Sequence, residues 1–185
     1  NPNQLGCEFP SKALASVGVA FYLLANLSSH RAKSGKSTAK ITQYLDLVAL
    51  GTYADVASLD YNNRILVDAG LKRIQQNLCR SGISALLDIA GRDPASLKAQ
   101  DLGFVIGPRI NAAGRMETMD IGIECLLADD ASKVYALAQQ LNDLNVERRQ
   151  VEGKIKQEAL VELEKLEFDQ QNLPAALVMF EEHWH

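Results

Sequence analysis

The sequence predicts a mostly helical protein with one unusually long helix and a single short strand near its end. Three observations predict it. Apolar residues recur at three- and four-residue intervals through most of the 185 residues. One such stripe continues from Val134 to Leu166 opposite a heavily charged face. Finally, the apolar run Ala175 to Phe180, preceded by Pro174, is short enough to be a strand.

In chain order, Leu14, Val17, Phe21, Leu24 and Leu27 predict a helix from Ser11 to about Lys33, with Pro10 and Ser11 suited to its start. The polar, basic stretch from Lys33 to Lys40 reads as a loop. A second helix is expected from Thr42 to about Leu50, broken by Gly51-Thr52, and Tyr53 to Leu59 follows with Asp55 in an otherwise apolar setting. Asn62 to Gln76 and Gly82 to Ala90 are the next helices, the latter ended by Gly91, and Asp93-Pro94 begins a turn. Ala99 to Ala113 has helical character interrupted by Gly103, Gly107 and Pro108, and Thr118 to Leu127 is a further short helix. The long helix is expected to be capped by Asp129 or Asp130 and to reach about Leu166, a span on the order of 50–55 Å at 1.5 Å per residue. That length suits a connector between two lobes better than one wall of a core. Gly153 is a point of weakness within it.

Composition sets further bounds. Apolar residues make up 47% and charged residues 23%, ordinary for a soluble globular protein, and the net charge is −4. Any phosphate contact must therefore come from a local cluster of basic side chains rather than an overall positive field. Cys7, Cys79 and Cys125 are far apart, show no metal-ligand spacing, and read as small hydrophobes in a reducing compartment. With no membrane-length apolar run and no signal pattern, a cytoplasmic location is expected. The abrupt start at Asn1-Pro2-Asn3 and the stop at Glu182-His183-Trp184-His185, just after an expected strand, lead us to expect an internal piece of a longer protein.

Three segments carry residues suited to chemistry. Asp55, between Ala54 and Val56, is costly to bury unless paired, hydrogen-bonded or bound to a hard cation such as Mn²⁺ or Mg²⁺; the alternative is an Asp that caps the next helix or turn. In Gly107-Pro108-Arg109-Ile110-Asn111-Ala112-Ala113-Gly114-Arg115, small residues allow close approach of a ligand. Arg109 can grip a phosphate with two parallel hydrogen bonds, and Asn111 can orient a polar group. If this segment is helical, Asn111 and Arg115 share a face and Arg109 points elsewhere; the alternative is arginines paired with acids at an internal interface. His183 and His185, two apart on a strand, would face one side and could hold a metal, against the reading of a solvated chain end. Gly35-Lys36-Ser37 ends like a phosphate-binding P-loop, but His30 stands where that motif begins with glycine and no strand precedes it, so that reading is set aside.

These segments resemble one family. LVALGTYADVASLDYNNRILV (Leu47 to Val67) looks like the block that follows the Asp-His-His motif in RecJ-type exonucleases, the single-stranded-DNA-specific members of the DHH phosphoesterase superfamily. GFVIGPRINAAGRM (Gly103 to Met116) resembles the arginine-containing block close to diagnostic of that group. NPNQ, FPSKALASVGVAFYLL and the EEHWH ending fit in the right order, so the resemblance covers essentially the whole chain. One departure is mild: Ala57-Ser58 stand where the family often has Val-Pro.

The resemblance implies a two-lobed α/β phosphoesterase, of which this chain is a mostly α fragment. Residues 1–60 would be the C-terminal part of the catalytic lobe, 61–128 its helical part, 129–168 the connector helix, and 173–185 the first strand of the second lobe. It implies 5′-to-3′ removal of nucleotides from single-stranded DNA in repair and recombination, by a centre of two Mn²⁺ or Mg²⁺ ions that activate water. Asp55 matches one metal ligand and so a catalytic residue. Arg109, Asn111 and Arg115 match the block near the strand, and Trp184 and His185 match the start of the second lobe. The Asp-rich and Asp-His-His blocks that supply most ligands are not in this sequence, so the stretch alone is expected to bind no ions and to be inactive. Single-stranded DNA is the expected partner, with a single-stranded-DNA-binding protein or a helicase as candidate helper and no membrane. The rival readings are a superfamily phosphoesterase for short RNA or cyclic dinucleotides, against which the GPRINAAGR block argues, and a non-catalytic helical scaffold.

Overall fold

Hydrogen bonding by Ser11 decides where the first helix begins. In the computed structural model, which describes residues 1–165 and 176–184, helix α1 runs Ser16–Lys33 and not from Ser11. The Ser11 hydroxyl donates to Asp60 at 2.6 Å, and the Asn63 side chain donates to the Ala13 carbonyl at 2.9 Å. The segment before α1 is thus fastened to the start of α3 (Tyr61–Gln75) instead of being wound into a helix. Asp60 also caps α3 by accepting from the Asn63 backbone N–H at 2.8 Å. These donors, the Asn63 amide first and then Ser11, hold the Asp60 carboxyl below its usual range.

A short 3₁₀ turn, Ile41–Tyr44, leads into α2, Leu45–Ala54. The helix break expected at Gly51-Thr52 does not occur, because Gly51 serves packing: a Cβ there would lie 2.9 Å from Val17 Cγ1 on α1. The contact between α2 and α3 is closer still. A Cβ on Gly70 would lie 2.1 Å from the Leu45 carbonyl oxygen and 2.5 Å from Ala49 Cβ. Backbone cannot yield to such an intrusion, so we expect Gly70→Ala to destabilise the fold by about 3 kcal/mol or more. A lowered urea midpoint would register this; an unchanged midpoint would mean that α2 and α3 do not meet there.

Helix α4, Ser81–Ile89, ends as expected before Gly91, whose φ of +64° only glycine adopts freely. The interrupted segment at Ala99 becomes three continuous pieces: α5 (Ala99–Asp101), a π-helical stretch (Leu102–Ile106) and α6 (Gly107–Met116). Pro108 has no N–H to offer the preceding turn, and the helix widens there instead of stopping. Helix α7 is Asp120–Leu127, starting two residues later than expected.

The long helix forms as the stripe predicts. It is α8, Ala131–Glu164, capped by Asp130, whose carboxylate accepts from the Lys133 N–H at 2.7 Å. It continues through Gly153, and its expected end at Leu166 lies outside the described residues. Only its first half is a wall of the core: Val134, Ala138, Leu141 and Leu144 are buried, whereas Val151 and Ile155 are half-buried. The main core joins Ile74, Ile83, Leu86, Leu87, Leu102, Ile106 and Leu141, all without exposed surface. A smaller cluster of Leu14, Val48 and Leu66 sits beneath α1.

The strand expected at 175–180 is not found among the described residues. Position 175 lies outside them, and residues 176–180 are without regular structure, with Val178 and Phe180 exposed. A strand satisfies its N–H and C=O groups only against a neighbouring strand, and the described residues contain none.

The cysteines conform to the hydrophobic reading in part. Cys125 is buried, and burial pushes its thiol up to about 11, while Cys7 and Cys79 keep some exposure.

Candidate functional site

The backbone places Asp55 where its carboxylate is open. It is the residue that ends α2, and its N–H bonds the Gly51 carbonyl at 3.0 Å. The next residue, Val56, has φ +54°, a conformation that a β-branched side chain adopts only under strain. At this helix end Asp55 is exposed, so its carboxylate bears no cost of burial. Nor does Asp55 cap the following helix, a task Asp60 performs. Among the described residues the Asp55 carboxylate has no ion-pair partner, and no three His, Cys, Asp or Glu side chains converge on one point.

Glycines bring this turn against the arginine block. A Cβ on Gly103 would lie 3.0 Å from Tyr53 Cδ1, and one on Gly107 would lie 3.2 Å from Ala54 Cβ. The π-helical stretch and the start of α6 therefore pack on the residues just before Asp55. Beside it opens a mainly apolar groove of about 310 Å³, lined by Tyr53, Ala54, Val56, Ala57, Leu59, Gly103 and Phe104. Phe104 projects there with 75% of its surface exposed.

Within α6 the helical reading holds. Asn111 and Arg115 are exposed one turn apart, and Arg109 is directed elsewhere. The Arg109 Nη1 donates to the Val105 carbonyl at 2.7 Å, and its Nε donates to Asn142 Oδ1 on α8 at 3.1 Å. The pairing with acids considered for this arginine is not found among the described residues: its acceptors are neutral and leave its charge uncompensated. Burial, and after it the charges of Arg149 and Arg92, lowers the Arg109 pKa from its ordinary value. A site that disfavours its own cation in this way gains from a nearby anion.

The C-terminal candidates lie apart from this arrangement. His183 Nε2 and Trp184 Nε1 both meet Glu158 Oε2 at 2.9 Å. These contacts, with Trp184 the larger, hold the Glu158 carboxyl below its usual range. Glu158 is sixteen residues beyond Asn142 on α8, about 24 Å along the helix axis. His185 lies outside the described residues, so the expected His183/His185 pair is not assembled, and His183 is not on a strand. Asn142, Val105, Arg149 and Arg92 were not singled out from sequence. Nothing in the local pattern around Asn142 marks it, although the Gly103 and Gly107-Pro108 interruptions did mark the widened helix.

No family model matches the chain. Its whole length aligns with the single-stranded-DNA-specific exonuclease RecJ of Dickeya dadantii at 49% identity and of Escherichia coli at 47%, covering 33% of each. The Bacillus subtilis protein of the same name is 33% identical over the full chain, which covers 22% of it. The crystal structure of RecJ with Mg²⁺ from Thermus thermophilus superposes with a TM-score of 0.69 at 35% identity, over 82% of this chain and 23% of that one. A structure of exonuclease RecJ bound to manganese gives the same TM-score and identity over 85% of this chain and 38% of that one. Along its whole length the chain is similar to one part of the RecJ exonucleases. It spans about a third of the length of the relatives first compared. No helix among the described residues is long and apolar enough to cross a membrane.

Proposed function

We propose that this chain is the part of a metal-dependent, single-stranded-DNA-specific exonuclease that presents one metal ligand and grips the strand. The supporting observation is the packing of the Asp55 turn against the helix that carries Arg109, Asn111 and Arg115. An open carboxylate and these three polar side chains are thereby carried on adjoining elements. An exposed carboxylate is a hard oxygen donor of the kind Mn²⁺ and Mg²⁺ accept, and relatives have been solved with each ion. When bound, two such ions polarise the phosphodiester and lower the pKa of water. Asp55 would hold one of them from this side. Arg109, pre-set by Asn142 and Val105, fixes a backbone phosphate, and Asn111 and Arg115 line the path on the exposed face of α6.

In this reading residues 1–128 complete the catalytic lobe, 129–168 connect the lobes, and 173–185, with Trp184 and His185, open the second. Digestion runs 5′ to 3′ in DNA repair and recombination, in the cytoplasm, with a single-stranded-DNA-binding protein or helicase presenting the strand. Two-metal chemistry needs several ligands around ions about 3.5–4 Å apart, which one carboxylate cannot provide. We therefore expect the 185-residue chain alone to show no Mn²⁺-dependent degradation of single-stranded DNA, and the full-length protein to digest it from the 5′ end. Digestion by the chain alone, free of contaminating nuclease, or its absence from the full-length protein, would overturn the proposal.

A further inference from the structure

We propose that Arg92 and Arg149 join Arg109 in a cradle of three guanidinium groups that holds successive backbone phosphates of one strand. The inference rests on the strand-binding reading of Arg109 and extends it to two residues outside the GFVIGPRINAAGRM block.

Geometry on α8 carries it. Arg109 is anchored to Asn142, and Arg149 lies seven residues further along that helix, hence on the same face and about 10.5 Å along the axis. Long helical side chains lean toward the helix N-terminus, which carries the Arg149 guanidinium back toward Asn142 and Arg109. Its neighbour Arg148 is excluded, because it is spent on Glu152 and on Asn145. Arg149 has no carboxylate within 4 Å among the described residues and is exposed.

Arg92 stands on the turn after α4, a helix packed against α8, with its N–H tied to the Leu87 carbonyl at 2.9 Å. The adjacent Asp93 does not neutralise it: that carboxylate accepts from the Ala95 N–H at 3.0 Å and faces the following 3₁₀ turn. Arg109 itself keeps N–H groups to spare, since its two hydrogen bonds use only part of a five-donor fork. After burial, both arginines act on the Arg109 guanidinium in lowering its pKa, which agrees with this placement on α8 and on elements packed against it. Three like charges without an acid partner among the described residues repel, in a chain whose overall balance is −4. A strand of phosphodiesters supplies the missing negative charges in a row.

The test is binding of a 5′-labelled oligothymidylate to the full-length protein in EDTA, by fluorescence anisotropy across a salt series. Each phosphate contact to a single strand contributes about 0.7 to the slope of log K against log salt. We expect Arg92→Gln and Arg149→Gln each to lower the slope by about 0.7, and the double variant by about 1.4. Lys36→Gln, in the exposed loop, should leave it unchanged, and Arg149→Lys should keep the parental slope. A double variant with the parental slope, beside an Arg109→Gln variant whose slope falls, overturns the cradle and leaves the strand-binding reading standing. A parental slope in Arg109→Gln overturns both. A slope loss in Arg149→Lys equal to that in Arg149→Gln, or a loss in Lys36→Gln equal to that in either arginine variant, also overturns the cradle.

Discussion

Replacing Asp55 by Ala in the full-length protein is expected to lower turnover by more than about 100-fold while leaving strand binding and the unfolding midpoint near parental values. The loss follows from removing an oxygen donor to a catalytic ion; replacing groups one step further from a metal already costs 10–100-fold. Preserved stability follows from exposure. Asp55 is exposed at the end of α2, and its carboxylate supports no hydrogen bond or ion pair among the described residues. A merely structural Asp55 predicts the opposite pattern, a lowered midpoint with activity scaling to the folded fraction. Single-turnover digestion of 5′-labelled DNA in Mn²⁺, with chemical unfolding beside it, separates the two.

Arg109→Ala is expected to act on both binding and folding. The guanidinium is the hydrogen-bond partner of Asn142 Oδ1 and of the Val105 carbonyl, and both are left short when it is removed. Unpaired polar groups in such half-buried positions cost about 1–3 kcal/mol, so the midpoint should fall. Strand affinity should fall as well, with the salt slope reduced by about 0.7. Lysine is not equivalent here, because one ammonium cannot reach two acceptors and a phosphate together. The comparison residue is Arg115, exposed on the same helix, whose replacement by Ala should weaken binding with little change in midpoint. If Arg109→Ala destabilises the fold but retains parental affinity and slope in its folded fraction, the arginine is an internal brace and nothing more.

Legibility from sequence followed the range of the forces involved. The long helix could be read because its signal is local and repeated: an apolar stripe, a charged face and a capping Asp130. The face shared by Asn111 and Arg115 followed from helical spacing alone. Gly51 misled because its role is to admit Val17 from α1, a contact distant in sequence, and propensity alone reads glycine as a break. Ser11 misled similarly, since its hydroxyl is used by Asp60, 49 residues away. Asp55 stands out in sequence as an acid among apolar residues, but its exposure comes with its place at the end of α2, which composition does not disclose. The strand failed for a different reason: its apolar pattern is genuine, but a strand requires a partner edge, absent from the described residues.

In the proposed site Asp55 serves the ion and Arg109 the strand, a division with separable outcomes. Its most direct test is calorimetric titration of Mn²⁺ into the full-length parent, Asp55→Ala and Arg109→Ala, each verified as folded and free of DNA. The account predicts that Arg109→Ala takes up Mn²⁺ with parental stoichiometry and affinity, whereas Asp55→Ala loses one ion or binds it at least about tenfold more weakly. Parental Mn²⁺ binding by Asp55→Ala would contradict it.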